Sequence, residues 1–457
     1  MRKETGSMGL YERVFEAGVV GCGGAGFPTH AKLRTDVSRL LVNGAECEPL
    51  LYADKYLLRH FASEIVFAAA AVSSELGASE CAVAMKSEYR AEMEAVKAAV
   101  SRTGASVSIG SLQSFYPAGD EHVLVFELTG HAPPPGGLPS DVGCLVMNVS
   151  TLLAVYDALA GRTFTHRYFS VAGEVERPSV LRAPIGAPLS FCLEAAGGAK
   201  PGGTCAILGG PMMGRVISIA ELESQVVTKT LSGLVILPGG SPVERRGALS
   251  ARQVASRARA GCIRCSQCGD LCPRSLLGHP IEPHQIMRRL AFCGDLDALD
   301  MDDPVIRGAT LCSECGVCEI VACPMGLNPR RVNGEIKARL ARAGLRYEHG
   351  GARQAPHPFR EFRKTPSARA AARAGVYKYY GRGGTDILTE VKPPSVRMPL
   401  LQHRGAPSEP VVPDGAFVEE GSLVARCPEG KLGANLCASI SGVVEIRSDH
   451  IVITARS

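Results

Sequence analysis

No run of apolar residues in this 457-residue chain reaches the roughly 18 needed to cross a bilayer, which excludes a transmembrane segment. The N-terminus, MRKETGSMGLYERVFE, also lacks the continuous apolar stretch of a secretory signal. The expectation is a cytoplasmic protein, its first residues being either an appended Gly-Ser-Met leader or a short helix that docks elsewhere. Charge of one sign is scarce too. Lys and Arg number 50 against 45 Asp and Glu, and a net charge of +5 is too small for a nucleic-acid footprint, so no nucleic-acid partner is expected. Core material is ample: 46% hydrophobic and 21% charged residues fit a globular chain. At about 150 residues per domain the length predicts roughly three domains, and 51 glycines with 30 prolines point to many turns.

Cysteine is abundant instead. In a chain without a secretory signal, 17 thiols are not a disulfide framework, because cytosolic thiols stay reduced. Eight fall into two runs. Cys262, Cys265, Cys268 and Cys272 stand in GCIRCSQCGDLCP, and Cys312, Cys315, Cys318 and Cys323 in LCSECGVCEIVACP. Three thiolates at two-residue intervals hold three irons of a cubane, and the fourth, followed by proline, reaches the other cluster in the two-cluster ferredoxin arrangement. By that pattern Cys262, Cys265, Cys268 and Cys323 hold one 4Fe-4S centre, while Cys312, Cys315, Cys318 and Cys272 hold the other. The spacing before Cys323 is one residue longer than the pattern. Zinc suits pairs of C-x2-C rather than triplets followed by Cys-Pro. Elsewhere Cys81, Cys144, Cys192 and Cys205, and with them Cys293, Cys427 and Cys437, read as small buried hydrophobes. Cys22 and Cys47 lie inside candidate ligand loops but read as inert thiols.

The stretch GCGGAGFPT, Gly21 to Thr29, spells the G-x-G-x-x-G of a dinucleotide-binding turn, which requires a strand before the glycines and a helix after them. The context is wrong. Leu10, Val14, Phe15 and Gly18 fall at helical spacing just before it, and Pro28 would stand inside the following helix, where it removes a donor. Four glycines in six residues still cost backbone entropy, and a phosphate approaching the backbone is the usual reason for such a loop.

Two single-electron clusters need a converter from hydride, commonly a flavin. In order along the chain, GCGGAGFPTHAK, Asn43-Gly44-Ala45-Glu46-Cys47-Glu48-Pro49, Tyr116-Pro117-Ala118-Gly119-Asp120-Glu121 and Asn148-Val149-Ser150-Thr151 resemble the flavin-site segments of the NADH-binding subunit of respiratory complex I and of its relative in the Rnf complex, RnfC. The resemblance implies FMN as cofactor and NADH as electron donor. Gly21, Gly23, Gly24 and Lys32 would cradle the phosphate, and Asn43, Glu46, Gly119, Asn148 and Thr151 would contact the flavin. Phe27, with Glu48 and Glu121 in catalytic positions, would face NADH. Two positions depart from the family: the arginine after the first glycine is Cys22, and the acid before Glu46 is Ala45.

The same resemblance, with an SLBB β-grasp module at YFSVAGEVERPSVLRAPIGAPLSFCLEAAGG and a barrel-sandwich module at the C-terminus, implies a multidomain α/β and α+β chain. Its expected parts are a Rossmann-like FMN/NADH domain over 1–162, an SLBB β-grasp domain over 163–245, a helical bis-4Fe-4S ferredoxin-like domain over 250–345, a basic linker over 346–388 and a barrel-sandwich hybrid domain over 389–457. From Arg353 to Arg382 the linker has eight Arg and Lys against one acid, Glu361, and reads as a strap across an acidic domain face.

CIRCSQCGDLCPRSLLGHPIEPHQIMRR, CEIVACPMGLNPRRVN and the trailing barrel are similar to the cobalamin reductases of propanediol-utilisation microcompartments, the PduS type. That implies reduction of cob(III)alamin and cob(II)alamin towards cob(I)alamin, a corrinoid adenosyltransferase and microcompartment shell proteins as partners, and residence inside a bacterial microcompartment. No D-x-H-x-x-G cobalt signature is present. His279 and His284 could ligate cobalt or shape a docking face, and the corrin could be an open-face acceptor or a ligand of the β-grasp module. An Rnf-like ferredoxin-linked protein, which a leading barrel would favour, and a non-catalytic electron relay or docking module are the other two readings; bound FMN separates the relay from both enzymes.

Overall fold

Alternation decides the first domain. Leu40 and Val42 turn to one face of a strand and Leu41 to the other, and Val83 and Met85 oppose Ala82 and Ala84 in the same way. Apolar side chains on both faces are the mark of parallel strands covered by helices. The protein, a computed structural model describing residues 8–24, 26–347, 355–382 and 384–456, builds its first sheet from β1 (Arg39–Asn43), β2 (Glu80–Lys86), β3 (Ser108–Leu112), and, past the short β4 (Phe115–Tyr116), β5 (Cys144–Asn148). The leader Met1–Ser7 and the linker's Arg353 lie outside the described residues. The order is β3-β2-β1-β5, all parallel.

Around this sheet stand α1 (Leu10–Glu16), α2 (Thr29–Lys32), α3 (Ala53–His60), α4 (Ala62–Glu75), α5 (Arg90–Thr103), α6 (Glu121–Thr129) and α7 (Val149–Leu159). The glycine stretch follows α1, as the apolar spacing predicts, and precedes β1 instead of joining it to a helix. Gly21 N–H donates to Phe27 O at 2.8 Å, which closes the loop, and Pro28 flanks α2 rather than interrupting it.

The middle sheet comprises β6 (His166–Gly173), β7 (Ser179–Pro184), β8 (Gly203–Leu208), β9 (Arg215–Ser218) and β10 (Gly233–Pro238). Helix α8 (Leu189–Ala195), at the predicted LSFCLEA, covers the face of Phe169, Val171 and Leu234. The other face, with Ala172, Ile207 and Val235, meets the cluster domain through a core that includes Cys315, Val317 and Ile320. The cluster domain packs helices Ala251–Gly261, Pro283–Cys293 and Pro329–Arg342 through Val254, Ile286, Leu290, Ile336 and Leu340. Cys293, expected to be buried, is exposed: it is the last residue of its helix, past the final core contact at Leu290, and Gly294 turns the chain away.

The described part of the basic segment, from 355 on, packs against the rest of the molecule. It supplies β11 (Thr365–Pro366), paired with β4, then the helix Ser367–Ala374, and its end runs as β12 (Gly384–Glu390) along β7. The six-stranded order is therefore β12-β7-β6-β10-β8-β9. The C-terminal strands form a four-stranded and a three-stranded sheet, and Met398, Val424 and Ile451 join the first domain's core. Two residues pin that junction. Gly18 has φ +69°, and a Cβ there would stand 2.3 Å from Asn435 O, so only glycine fits. Buried Lys229, its pKa pushed down to about 8 by desolvation, donates to Gly18 O and Asn435 O, each at 2.7 Å. Among the described residues no helix is long and apolar enough to cross a membrane.

Candidate functional site

Asn43 and Asn148 end adjacent strands in register. With β2 on one side of β1 and β5 on the other, those ends bound a topological switch point, the crevice where open α/β sheets take ligands. Asn148 caps α7, its Oδ1 accepting from Ser150 N at 2.8 Å, while its Nδ2 donates to Asp54 Oδ2 at 2.8 Å. Ser150 Oγ donates to the other Asp54 oxygen at 3.1 Å. Cys22 N donates to Thr151 Oγ1 at 2.9 Å, which holds the glycine loop at the start of α7. A Cβ on Gly23 would first meet Asn148 Cβ at 3.5 Å, and one on Gly24, where φ is +122°, would meet nothing within 4 Å. Open space beside glycine amides at a helix N-terminus fits a phosphate. Lys32 reaches Val146 O at 3.3 Å and Glu121 at 3.7 Å, at the β5 side of the same crevice.

Residues 43–48 and Gly119 knit the opposite wall. Asn43 Nδ2 donates to Gly119 O at 2.9 Å, its Oδ1 accepts from Ala45 N at 3.1 Å, and Gly119 N donates to Cys47 Sγ at 2.8 Å. A Cβ on Gly119 would lie 2.5 Å from Ala45 O, so the two segments can touch only because that residue is glycine. Burial first, and the neighbouring Asp54 second, hold the Glu46 carboxyl above the usual carboxylate range. Phe27 is half-buried in the glycine loop.

Glu48 is committed to the middle domain, its two oxygens accepting from Met212 N at 2.9 Å and Met213 N at 2.7 Å. Arg330 of the cluster domain donates to the carbonyls of the same two residues at 2.8 and 3.0 Å. Gly316, beside Cys315, has φ +80° and leaves no room for a Cβ, which would meet Met212 O at 2.8 Å. This one turn therefore joins three domains. Burial pushes the Glu48 pKa from an ordinary 4.5 up to about 7, against the pull of the two amides and Arg330. The folded chain then keeps a proton that the unfolded chain has released between those values, so stability falls as pH rises through that window, by at most about 3 kcal/mol. Glu48→Gln does not titrate. The native protein's advantage over it, read from urea midpoints, is expected to be larger near pH 5 than near pH 8; an equal or reversed difference would mean that the amides select the ionised acid.

The cysteines fall into two sets of four, each drawn from both runs. One cavity is lined by Cys262, Cys265, Cys268 and Cys323, the other by Cys272, Cys312, Cys315 and Cys318. Each set encloses a gap, and among the described residues no three His, Cys, Asp or Glu converge as a single ion requires. Four thiols around a gap fit a cubane. The longer spacing before Cys323 has a local solution. Val317–Ala322 winds as a π-helix, whose hydrogen bonds span one more residue than those of an α-helix, and Cys323 still lines the first cavity.

The second set is the more enclosed, with Cys272, Cys315 and Cys318 buried, and Tyr116 of the flavin domain donates its hydroxyl to Cys315 O at 2.6 Å. In the first set Cys265 is exposed. Arg274, two residues past Cys272, donates to Asp120 Oδ2 at 3.1 Å; although burial opposes it, this guanidinium holds Asp120 below its usual range. His279 is buried with its Nε2 against Pro133 O at 3.0 Å, while His284 lines the first cavity. Asp54, Arg330 and the Met212–Met213 turn went unassigned from sequence, and no local motif marks them.

Four family descriptions match the chain: Nuo51 FMN-binding domain at 14–157, SLBB domain at 168–216, 4Fe-4S dicluster domain at 261–328, and RnfC barrel sandwich hybrid domain at 375–456. The cobalamin reductase PduS of Salmonella typhimurium LT2 is 38% identical over 450 residues, 98% of this chain and 96% of that one. The protein of the same name from Citrobacter freundii is 37% identical over 97% of this chain and 96% of its own. A component of the ion-translocating oxidoreductase complex of Erwinia tasmaniensis is 33% identical over 59% of this chain and 32% of its own length.

Proposed function

Because this chain belongs to the PduS family of cobalamin reductases, we propose that it uses NADH to reduce cob(III)alamin and cob(II)alamin towards cob(I)alamin. It is a flavin and iron-sulfur oxidoreductase. FMN held here would supply the conversion of a hydride pair into single electrons, and clusters held by the two cysteine sets would supply one-electron centres. The residues that hold these groups are Gly21, Gly23, Gly24 and Lys32 for the flavin phosphate, Asn43, Glu46, Gly119, Asn148 and Thr151 for the flavin, and the two cysteine sets for the clusters. Asp54 fixes the amide of Asn148, and Thr151 fixes the glycine loop. Phe27, Glu48 and Glu121 face NADH, with Lys32 holding Glu121 and Glu48 anchoring the Met212–Met213 turn as a second wall.

The observation that carries this reading is contiguity. The switch-point crevice, Gly119 and Tyr116 lead from the flavin position to the buried cysteine set without leaving the protein interior. The product, cob(I)alamin, suits transfer to a corrinoid adenosyltransferase, with shell proteins as neighbours inside a cytoplasmic microcompartment.

Anaerobic stopped-flow of the FMN-loaded holoenzyme tests the reading. NADH is expected to bleach the flavin within the turnover time, with cob(II)alamin appearing after hydroxocobalamin is added. Lys32→Ala is expected to lower FMN affinity by about tenfold or more, the scale of one charge-assisted phosphate contact of ~1.5–3 kcal/mol. If NADH leaves the flavin oxidised while dithionite reduces the clusters, the chain is a relay and the reading fails.

A further inference from the structure

A cleft of about 810 Å3 opens where the first domain, the middle sheet and the barrel meet, apart from the flavin crevice and from both cysteine cavities. Its walls include α7, residues 161–165, the start of β6 and the Glu420–Ser422 turn. Its size lies within the ~300–1,000 Å3 of small-molecule sites. The rings of Phe61, Tyr156, Phe164 and Tyr168 line it, Phe61 and Tyr168 meeting edge to face with centroids 5.7 Å apart.

His166 is held in this cleft from two domains. Its Nδ1 lies 3.0 Å from Thr165 Oγ1 and 3.5 Å from Glu420 Oε1, and its Nε2 makes no polar contact among the described residues. With the ring proton on Nδ1, towards Thr165 and Glu420, Nε2 would offer its lone pair as a metal-ligating imidazole does. The lining carries little net positive charge. Arg162 is paired with Asp157 at 2.6 Å and Arg182 with Glu390 at 3.1 Å, while Glu64 and Glu420 add negative charge to the lining. Aromatic walls, neutralised cations and an oriented imidazole together suit a broad apolar-faced macrocycle with a neutral amide rim and a Lewis-acidic metal at its centre.

We propose that this cleft binds the corrin ring of cobalamin and that His166 Nε2 is the lower axial ligand of its cobalt. The proposal rests on the cobalamin-reductase reading. In the binding step the Nε2 lone pair forms a Co–N bond while the nitrogen of cobalamin's own lower base leaves with its pair, and the oxidation state of cobalt is unchanged. Helix α7 connects the site to the chemistry: Asn148 caps it at the flavin crevice and Tyr156 lines the cleft, eight residues or about 12 Å further on.

The test is electron paramagnetic resonance of cob(II)alamin bound to holoenzyme whose histidines carry the heavy nitrogen isotope. The axial-nitrogen splitting is expected to change from a triplet to a doublet on labelling, and to become indifferent to the label in His166→Ala. Glu420→Gln is expected to keep the imidazole signature but weaken cob(II)alamin binding by about tenfold, as loss of a partner behind a metal-ligating histidine does. A native spectrum indifferent to the label, in an enzyme that still reduces cobalamin with NADH, overturns the cleft assignment alone. Failure of the holoenzyme both to bind and to reduce cobalamin overturns the reductase reading and the site with it.

Discussion

Cys272→Ala is expected to remove the cluster held by Cys312, Cys315 and Cys318, forty or more residues downstream, and to leave the cluster of its own run in place. The reason is the crossed lining of the two cavities, in which Cys272 stands with the second triplet and Cys323 with the first. Iron is expected to fall from about eight to about four per chain, as for one cubane of two. Paired substitutions make the assignment decisive. Adding Cys315→Ala to Cys272→Ala strikes the same cluster twice and is expected to cost no further iron, whereas adding Cys265→Ala strikes the other cluster and is expected to leave almost none. The reverse result, with Cys265→Ala silent in the Cys272→Ala background, would falsify the crossed arrangement. Because the two double variants each remove two thiols, a general failure to fold lowers both equally and is told apart from loss of a particular cluster.

The cluster ligands are legible in the sequence because covalent spacing alone nearly fixes a three-thiolate loop. What spacing could not say is how Cys323 tolerates its extra residue, since the π-helix over Val317–Ala322 is selected by packing: Val317, Ile320 and Val321 are buried in a core shared with the middle sheet. The flavin segments are legible for a similar reason, as each is a local loop with its own residue signature. Their supports are not. Asp54 meets Asn148 across 94 positions, Arg330 meets Met212 across 118 and Tyr116 meets Cys315 across 199, and nothing local to any of these residues announces its partner. Composition gave the basic segment its sign and therefore the kind of surface it covers, while the particular acids, Glu127, Glu174 and Asp270, come from three separate parts of the chain. Cys293 failed as a buried residue because apolar neighbours in sequence do not reveal where a helix leaves its core.

Glu127→Ala is expected to destabilise the protein by about 1–3 kcal/mol, the cost of removing the more buried of the two carboxylates, Glu127 and Glu361, that pair with Arg360 and Lys364. Glu127 accepts from Arg360 Nη2 at 2.5 Å and lies 3.1 Å from Lys364 Nζ, with only 12% of its own side chain exposed and 6% and 9% of theirs. Both cations also sit over rings, Arg360 4.6 Å from the Phe126 centroid and Lys364 4.9 Å from that of Phe115, so neither can swing out to water without giving up packing. The charges themselves do not make the site stable. Replacing Glu127, Arg360 and Lys364 together by Leu, Met and Met is expected to recover most of the lost stability, since an apolar triplet of similar volume carries no desolvation cost. Function should separate the two variants from each other. Thr365 and Pro366 pair with Phe115 and Tyr116 immediately beyond this pair of cations, and Tyr116 carries the hydroxyl bond to Cys315. Loosening the strap in Glu127→Ala is therefore expected to slow reduction of the buried cluster by NADH while flavin bleaching keeps its native rate, and the apolar triplet is expected to restore both. A urea midpoint for Glu127→Ala within experimental error of the native value would show that the strap is held by its β11–β4 pairing and the apolar face of Ser367–Ala374, with the buried ions contributing nothing net.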